Sequence, residues 1–256
     1  MLVWGGFKGL TDGALGSTTA WFYDAYTDEQ DNFGFALIET DELLTMVADA
    51  NAQDIQLALH AIGDRAIDAV IQGINDVAGD DVETKRFRIE HFQHPNSNAI
   101  AAIADKKIIA SMQPYHAIDD GRWAEKRIGA ERIKTTYAFK SILDAGAILS
   151  FGSDWPVAPL SPLLGIYAAA TRQTIDGANP AGWQPQEKLS VDQALHAYTT
   201  ANAYAAFDEQ DTGTLAEGMQ ADFVVLEQDL REIDPAQISS VNVAMTVLAG
   251  KVVYQR

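Results

Sequence analysis

Four side chains able to bind a metal or move a proton stand at the ends of short apolar runs: Lys8, His60, His91 and Asp154. His60 closes the run Ile55-Gln56-Leu57-Ala58-Leu59, and His91 closes Phe87-Arg88-Ile89-Glu90. Asp154 follows Ala147-Ile148-Leu149 and a Phe151-Gly152-Ser153 break, with Trp155-Pro156 directly behind it. Neutral imidazole and carboxylate suit Zn²⁺ and related divalent ions, and an Asp can also serve as base towards a metal-activated water. One His at a strand end is more often a hydrogen-bonded core residue. Two at consecutive strand ends, with an Asp further on, point to a divalent metal site. Asp154 has a competing role as helix N-cap, since Asp is a favoured cap and Pro follows two residues later.

Lys8 lies among apolar and glycine residues, and a lysine on a buried strand must be paired, deprotonated or modified. Snorkelling to the surface or pairing with Asp12 is the plainer alternative. Around these four, Gln113, Tyr115, His116 and Trp155 sit in or beside strand-end segments and are candidate substrate contacts. Asp12 reads as a turn residue that could order the Lys8 loop, and Glu90 as a group that orients its neighbours. Asp64 and Arg65 open a helix, and His94 and His196 read as structural. Other chemistries lack support. The chain has no cysteine, no G-x-S-x-G elbow, and neither of the glycine-rich nucleotide fingerprints.

The elements that must position these residues alternate. Strands are expected to begin near Val3, Ile55, Phe87, Ile108 and Ala147. Helices are expected at 40–51, capped by Thr40, at 66–77, from Pro95-Asn96 to Lys106, and at 137–145. Two further helical stretches cover 163–171 and 191–206. Repeated strand, polar residue, loop and helix imply a parallel sheet with right-handed crossovers and function at the C-terminal strand ends. Residues 13–34 and 115–134 read as long irregular segments, lids or active-site loops in an enzyme. From Gly213 the pattern changes to short strands at 223–226, 241–248 and 252–254, with a Gly250-Lys251 turn, forming a small β module.

Composition narrows the partners. Hydrophobic residues make up 47% of the 256, enough for a substantial core, and the formal net charge of −18 argues against nucleic acid or an anionic membrane surface. No apolar run approaches the roughly 18 residues needed to span a bilayer. The opening MLVWGGFKGL lacks the charged start and long apolar centre of a signal peptide, so a cytoplasmic location is expected.

Several segments carry a resemblance: KGLTDGALGS, LHAIGDRAID, RIEHFQHP, SMQPYHAIDD, FGSDWPVAPLSPLLGIYAAATRQ and LSVDQALHAYTTANAYA. In this order they resemble the amidohydrolase superfamily, and more narrowly amidohydrolase family 3, the branch of N-substituted formamide deformylases and related metal-dependent hydrolases. The ending TGTLAEGMQADFVVLEQDL resembles the return of the chain into that family's β-sandwich. The resemblance runs from about Val3 to Tyr254. It implies an α/β fold: a partial TIM-type (β/α) barrel, strands four to eight, over residues 1–210, followed by part of a small β-sandwich over 211–256. It also implies one or two divalent metals, usually zinc, that activate water to attack a non-peptide amide-like C–N bond. On that resemblance Lys8 corresponds to a lysine often carboxylated to bridge two metals. His60 and His91 correspond to the metal ligands after the next two strands. Asp154 corresponds to the aspartate that binds metal and takes the proton from water.

The family pattern also has a His-x-His pair after its first strand, and this sequence contains none. The expectation is therefore a C-terminal fragment that needs its missing N-terminal half, or self-association through open strand edges, to complete a site. Its partners are then a small-molecule substrate and that other half. The competing reading is a non-catalytic barrel fragment that assembles with a separate N-terminal half. An isomerase or decarboxylase on the same metal barrel is a third.

Overall fold

The computed structural model describes residues 5–79 and 82–256. They fall into two compact units, residues 5–79 and 82–112 with 120–149, and residues 113–119 with 150–256. The expected strand start near Val3 lies outside the described residues.

In chain order the elements are β1 (Phe7–Leu10), α1 (Thr40–Ala52), β2 (Leu57–Ala61), α2 (Asp64–Ala78), α3 (Val82–Lys85) and β3 (Arg88–His91). There follow α4 (Ser97–Lys106), β4 (Ile109–Met112), α5 (Pro114–Asp120), α6 (Ala124–Arg132), a 3₁₀ turn (Ile133–Thr135), α7 (Phe139–Asp144) and β5 (Leu149–Phe151). The chain continues through α8 (Pro162–Thr171), α9 (Val191–Tyr198), α10 (Thr200–Ala205), β6 (Phe223–Leu226), β7 (Val243–Leu248) and β8 (Lys251–Gln255). Strands β1 to β5 make one five-stranded sheet in sequential order, with β1/β2, β2/β3 and β3/β4 each parallel. This is the α/β arrangement that the strand–helix alternation predicts. Strands β6, β7 and β8 form a separate antiparallel sheet.

The first unit buries its sheet against its helices. Leu57, Leu59, Ile89 and Ile109 are fully covered, as are Ile67, Val70 and Ile74 on one face of α2. Each such side chain contributes about 1.5–3 kcal/mol on burial. Asn96 caps α4 by accepting from the Ala99 N–H at 2.9 Å. In the second unit, Ser190 and Gln193 form a reciprocal capping box on α9. The register sets up the strand ends. Leu10 pairs with His60, His60 with Glu90, and Ala61 with His91.

Several expectations are corrected. Thr40 is the first helical residue of α1 rather than its cap; Glu39 occupies the cap position without a side-chain bond. Residues 115–134 are not an irregular loop, because Pro114 starts α5 and the AEKRIGAER run forms α6, kinked at Gly129. The helix expected over 137–145 starts at Phe139, since Tyr137 has a left-handed backbone (φ 51°). The stretch 191–206 breaks into α9 and α10 at Thr199 (φ −122°, ψ −86°). Lys251 belongs to β8 rather than to the turn before it.

Candidate active site

Two imidazoles meet in the first unit. The rings of His60 and His91 lie 4.5 Å apart between centroids, edge to face. Strict alternation along β3 would send His91 to the face opposite Glu90, the register partner of His60. The backbone prevents this: His91 (φ 76°) and Phe92 (φ 42°) both take left-handed conformations at the strand end. Such conformations cost on the order of 1–3 kcal/mol each and cluster at functional sites.

His60 Nε2 is 2.8 Å from the Gly13 carbonyl oxygen. A carbonyl only accepts, so Nε2 carries the hydrogen and the lone pair sits on Nδ1. Asp12 Oδ1 lies 3.4 Å from the same nitrogen. Asp12 is almost wholly buried, and it accepts from the Trp21, Ile62 and Gly63 N–H groups at 2.8, 3.0 and 2.9 Å. Burial pushes its carboxyl up to about 7, against the pull of these backbone donors. Asp12 therefore ties the loop after β1 to the end of β2 and supports the His60 ring; the expected pairing with Lys8 is replaced by these bonds.

Lys8 sits in the middle of β1, in register with Ala58. Its side chain is exposed, as are those of Phe7 and Leu10, so the premise of a buried strand is corrected. By register Lys8, Ala58, His60 and Glu90 share one face of the sheet. Glu90 accepts from Ser111 Oγ at 2.7 Å and pairs with Arg88 Nε at 3.0 Å.

Beneath His91 runs a buried polar network. The Gln93 amide nitrogen donates to Asp120 at 2.7 Å and approaches His94 Nε2 at 3.1 Å. The Tyr137 hydroxyl also donates to Asp120, at 2.6 Å. His94 Nδ1 lies 2.9 Å from the Thr136 hydroxyl. Burial, helped by the Arg132 charge, pulls His94 down to about 3, and burial pushes Asp120 up to about 6. Neither Asp12 nor Asp120 stands out in the sequence as more than a loop acid. Asp64 accepts from the Tyr23 N–H, and Arg65 stacks over Trp21 at 4.5 Å.

In the second unit, α5 starts at the end of β4 and carries Tyr115 and His116; Gln113 precedes it and is buried. His116 Nε2 stands 3.9 Å from Asp154 Oδ2. Burial holds His116 below the usual imidazole range, with the Asp154 charge opposing. Asp154 is exposed and left-handed (φ 58°), and its carbonyl accepts from the Val157 N–H at 2.8 Å. It caps no helix, because α8 starts at Pro162 with Ser161 in the cap position. Trp155 is 65% exposed. His196, read from the sequence as structural, lies exposed on α9.

The donor types fit a divalent ion of zinc's preferences. His60 has its Nε2 held by a carbonyl with a carboxylate nearby, and His116, held below the usual imidazole range by burial, stands 3.9 Å from a carboxylate. The C-terminal ends of parallel strands are where barrel enzymes place their reactive groups.

A family model described as the amidohydrolase family matches residues 1–254. The chain belongs to that family. It is 37% identical over 98% of its length to Protein LONG AFTER FAR-RED 3 of Arabidopsis thaliana, covering 43% of that protein. It is 28% identical over 84% of its length to N-substituted formamide deformylase of Arthrobacter pascens, covering 39% of that enzyme. The crystal structure of an uncharacterized metal-dependent hydrolase from Pyrococcus horikoshii OT3 superposes with a TM-score of 0.79 at 31% identity, over 90% of this chain and 46% of that one. The chain thus spans less than half the length of the curated relatives it matches here.

Proposed function

We propose that this chain carries the metal-binding side of a hydrolase that cleaves the C–N bond of a non-peptide, amide-like small molecule. The ligands in this reading are Lys8 (carboxylated), His60, His91 and Asp154, binding one or two zinc ions. A divalent ion held there supplies carbonyl polarisation and a water whose pKa falls to about 7. The chain's own residues do the rest. Asp154 takes the proton of the attacking water; its carboxylate is exposed on a backbone fixed by a turn. Gln113, Tyr115 and Trp155 contact the substrate. Asp12, 3.4 Å from His60 Nε2, supports the His60 ring.

The observation that supports the reading most is the His60–His91 pair, 4.5 Å apart, achieved only by a left-handed backbone at His91. In this reading strands β1 to β5 correspond to strands four to eight of a TIM-type barrel, with residues 1–210 as barrel and 211–256 as part of a β-sandwich. Further ligands come from a separate segment or a second copy. β1 is the outermost strand of its sheet, with Phe7 and Leu10 about half exposed at 46% and 51%, and so offers an edge for such pairing. A cytoplasmic location belongs to the same proposal; among the described residues no helix is long and apolar enough to cross a membrane.

The test is hydrolysis of neutral amides by zinc-supplemented protein and by Asp154→Asn. A drop in kcat of about 10²–10⁴ is expected for loss of a general base. Equal turnover by the variant contradicts the role given to Asp154.

A further inference from the structure

A cleft of about 470 Å³ in the second unit is lined by Tyr115, Ile118, Leu164, Tyr167 and Ile175, with Gln173 among its polar residues. No acidic or basic side chain lines it, in a chain whose formal net charge is −18. Several of its polar groups are already engaged. The Tyr167 hydroxyl donates to Gln173 Oε1 at 3.1 Å, and Gln173 Nε2 donates to the Pro180 carbonyl at 2.8 Å. Thr174 Oγ1 accepts from Asn179 Nδ2 at 3.0 Å. What the walls offer an occupant is therefore mainly aromatic and aliphatic surface, with no charged group. A charged group entering would lose its water and find no countercharge, whereas a flat apolar group would bury against two phenol rings.

The cleft is built on the same helix as His116. Tyr115 and Ile118 are three residues apart on α5, and so share a face. Tyr115 adjoins His116 in sequence, which places its Cα about 3.8 Å from that of His116. His116 in turn stands 3.9 Å from Asp154. A group seated against Tyr115 is thus one residue away from the proposed base's neighbour. We propose that this cleft is the specificity subsite for an uncharged, apolar substituent, an aromatic ring above all, on the substrate of the hydrolase. The inference rests on the C–N hydrolase reading for the location of the reacting bond, but not for the chemistry of the cleft. The volume accommodates a ring with a short linker, and small ligand sites are commonly about 300–1,000 Å³.

Binding can be measured without turnover. N-benzylacetamide and N-methylacetamide are titrated into the full chain and followed by ligand-observed NMR, alongside Ile175→Asp and Tyr115→Ala. Ile175 is 48% exposed, so the charged replacement leaves the core intact. The expected result is at least about tenfold tighter binding of the benzyl amide to the unaltered chain, a gain typical of filling an apolar pocket. Ile175→Asp is expected to abolish this preference while circular dichroism and melting stay unchanged. Equal affinity for the two amides, or a preference that survives both substitutions, overturns the subsite. If the preference is present and sensitive to Ile175→Asp but no amide is hydrolysed under any metal condition, the subsite stands and the C–N reading fails instead.

Discussion

Asp12 carries more structure than any other single carboxylate described here. It satisfies three backbone N–H groups from two segments, Trp21 on one side and Ile62 and Gly63 on the other, while lying 3.4 Å from His60. Asp12→Ala leaves those donors buried and unmet, at about 1–3 kcal/mol for each. A loss on the order of 3 kcal/mol or more in urea unfolding is expected, with Asp12→Asn milder because its carbonyl keeps part of the set. A loss below about 1 kcal/mol contradicts the role. The pH dependence at the neighbouring network has a definite sign. His94, depressed by burial to about 3, binds fewer protons folded than unfolded, so its stabilisation is present above about 6.5 and lost as pH falls towards 3. Asp120, raised to about 6, binds more protons folded, so its contribution falls as pH rises from about 4 to 6. The two slopes oppose between pH 4 and 6. Asp120→Asn removes one of them, and the variant is expected to lose close to one proton's worth of stability, about 1.4 kcal/mol, per pH unit on acidification relative to the unaltered chain. Parallel pH profiles for the two proteins contradict this. His60, His91 and Asp154 were legible as candidates because each ends an apolar run. Asp12 was legible only as a turn residue, since its donors Ile62 and Gly63 lie fifty residues away and nothing local announces them.

At the scale of elements, the long segment after β1 is held by arginines of α6. Arg132 donates to the carbonyls of Asp24, Ala25 and Ile128 at 2.9, 2.7 and 2.7 Å and stacks 5.2 Å from the Phe22 ring. Arg127 pairs with Asp28 and Glu29, while its own carbonyl accepts from the Thr27 N–H. Arg132→Met keeps the aliphatic stem and removes the donors. Limited proteolysis is expected to cut within residues 13–34 severalfold faster in this variant, and an unchanged cleavage rate contradicts the pinning. Gly63 marks a close backbone approach in the same region. A Cβ there would stand 2.1 Å from the Trp21 carbonyl oxygen, so Gly63→Ala is expected to cost about 1–3 kcal/mol of stability in denaturant melts. Helices α1, α2 and α4 were legible from their apolar stripes. Helices α5 and α6 were not, because a polar, aromatic composition masked the Pro114 start, and the Gly129 kink broke the periodicity of α6. The left-handed His91 was likewise invisible: a strand pattern places alternate side chains, and only the folded backbone shows where alternation fails.

For the whole molecule, the parallel sheet in sequential order was legible from the alternation of strands and helices, and so was the change of character near Gly213. The division into units, with residues 113–119 grouped with 150–256, was not. Linear order carries no signal that α5 packs with later residues, such as Ile175, whose N–H donates to the Ile118 carbonyl. The central claim is that the proposed ligands carry a divalent-metal chemistry. Elemental mass spectrometry of the purified, zinc-equilibrated and dialysed chain measures this directly, comparing the unaltered protein with His60→Ala, His91→Ala and Asp154→Asn. At least one zinc per chain in the unaltered protein is expected, with a clear fall in each folded variant. Zinc content that stays the same in all three variants, or no zinc in the unaltered chain, would contradict the account.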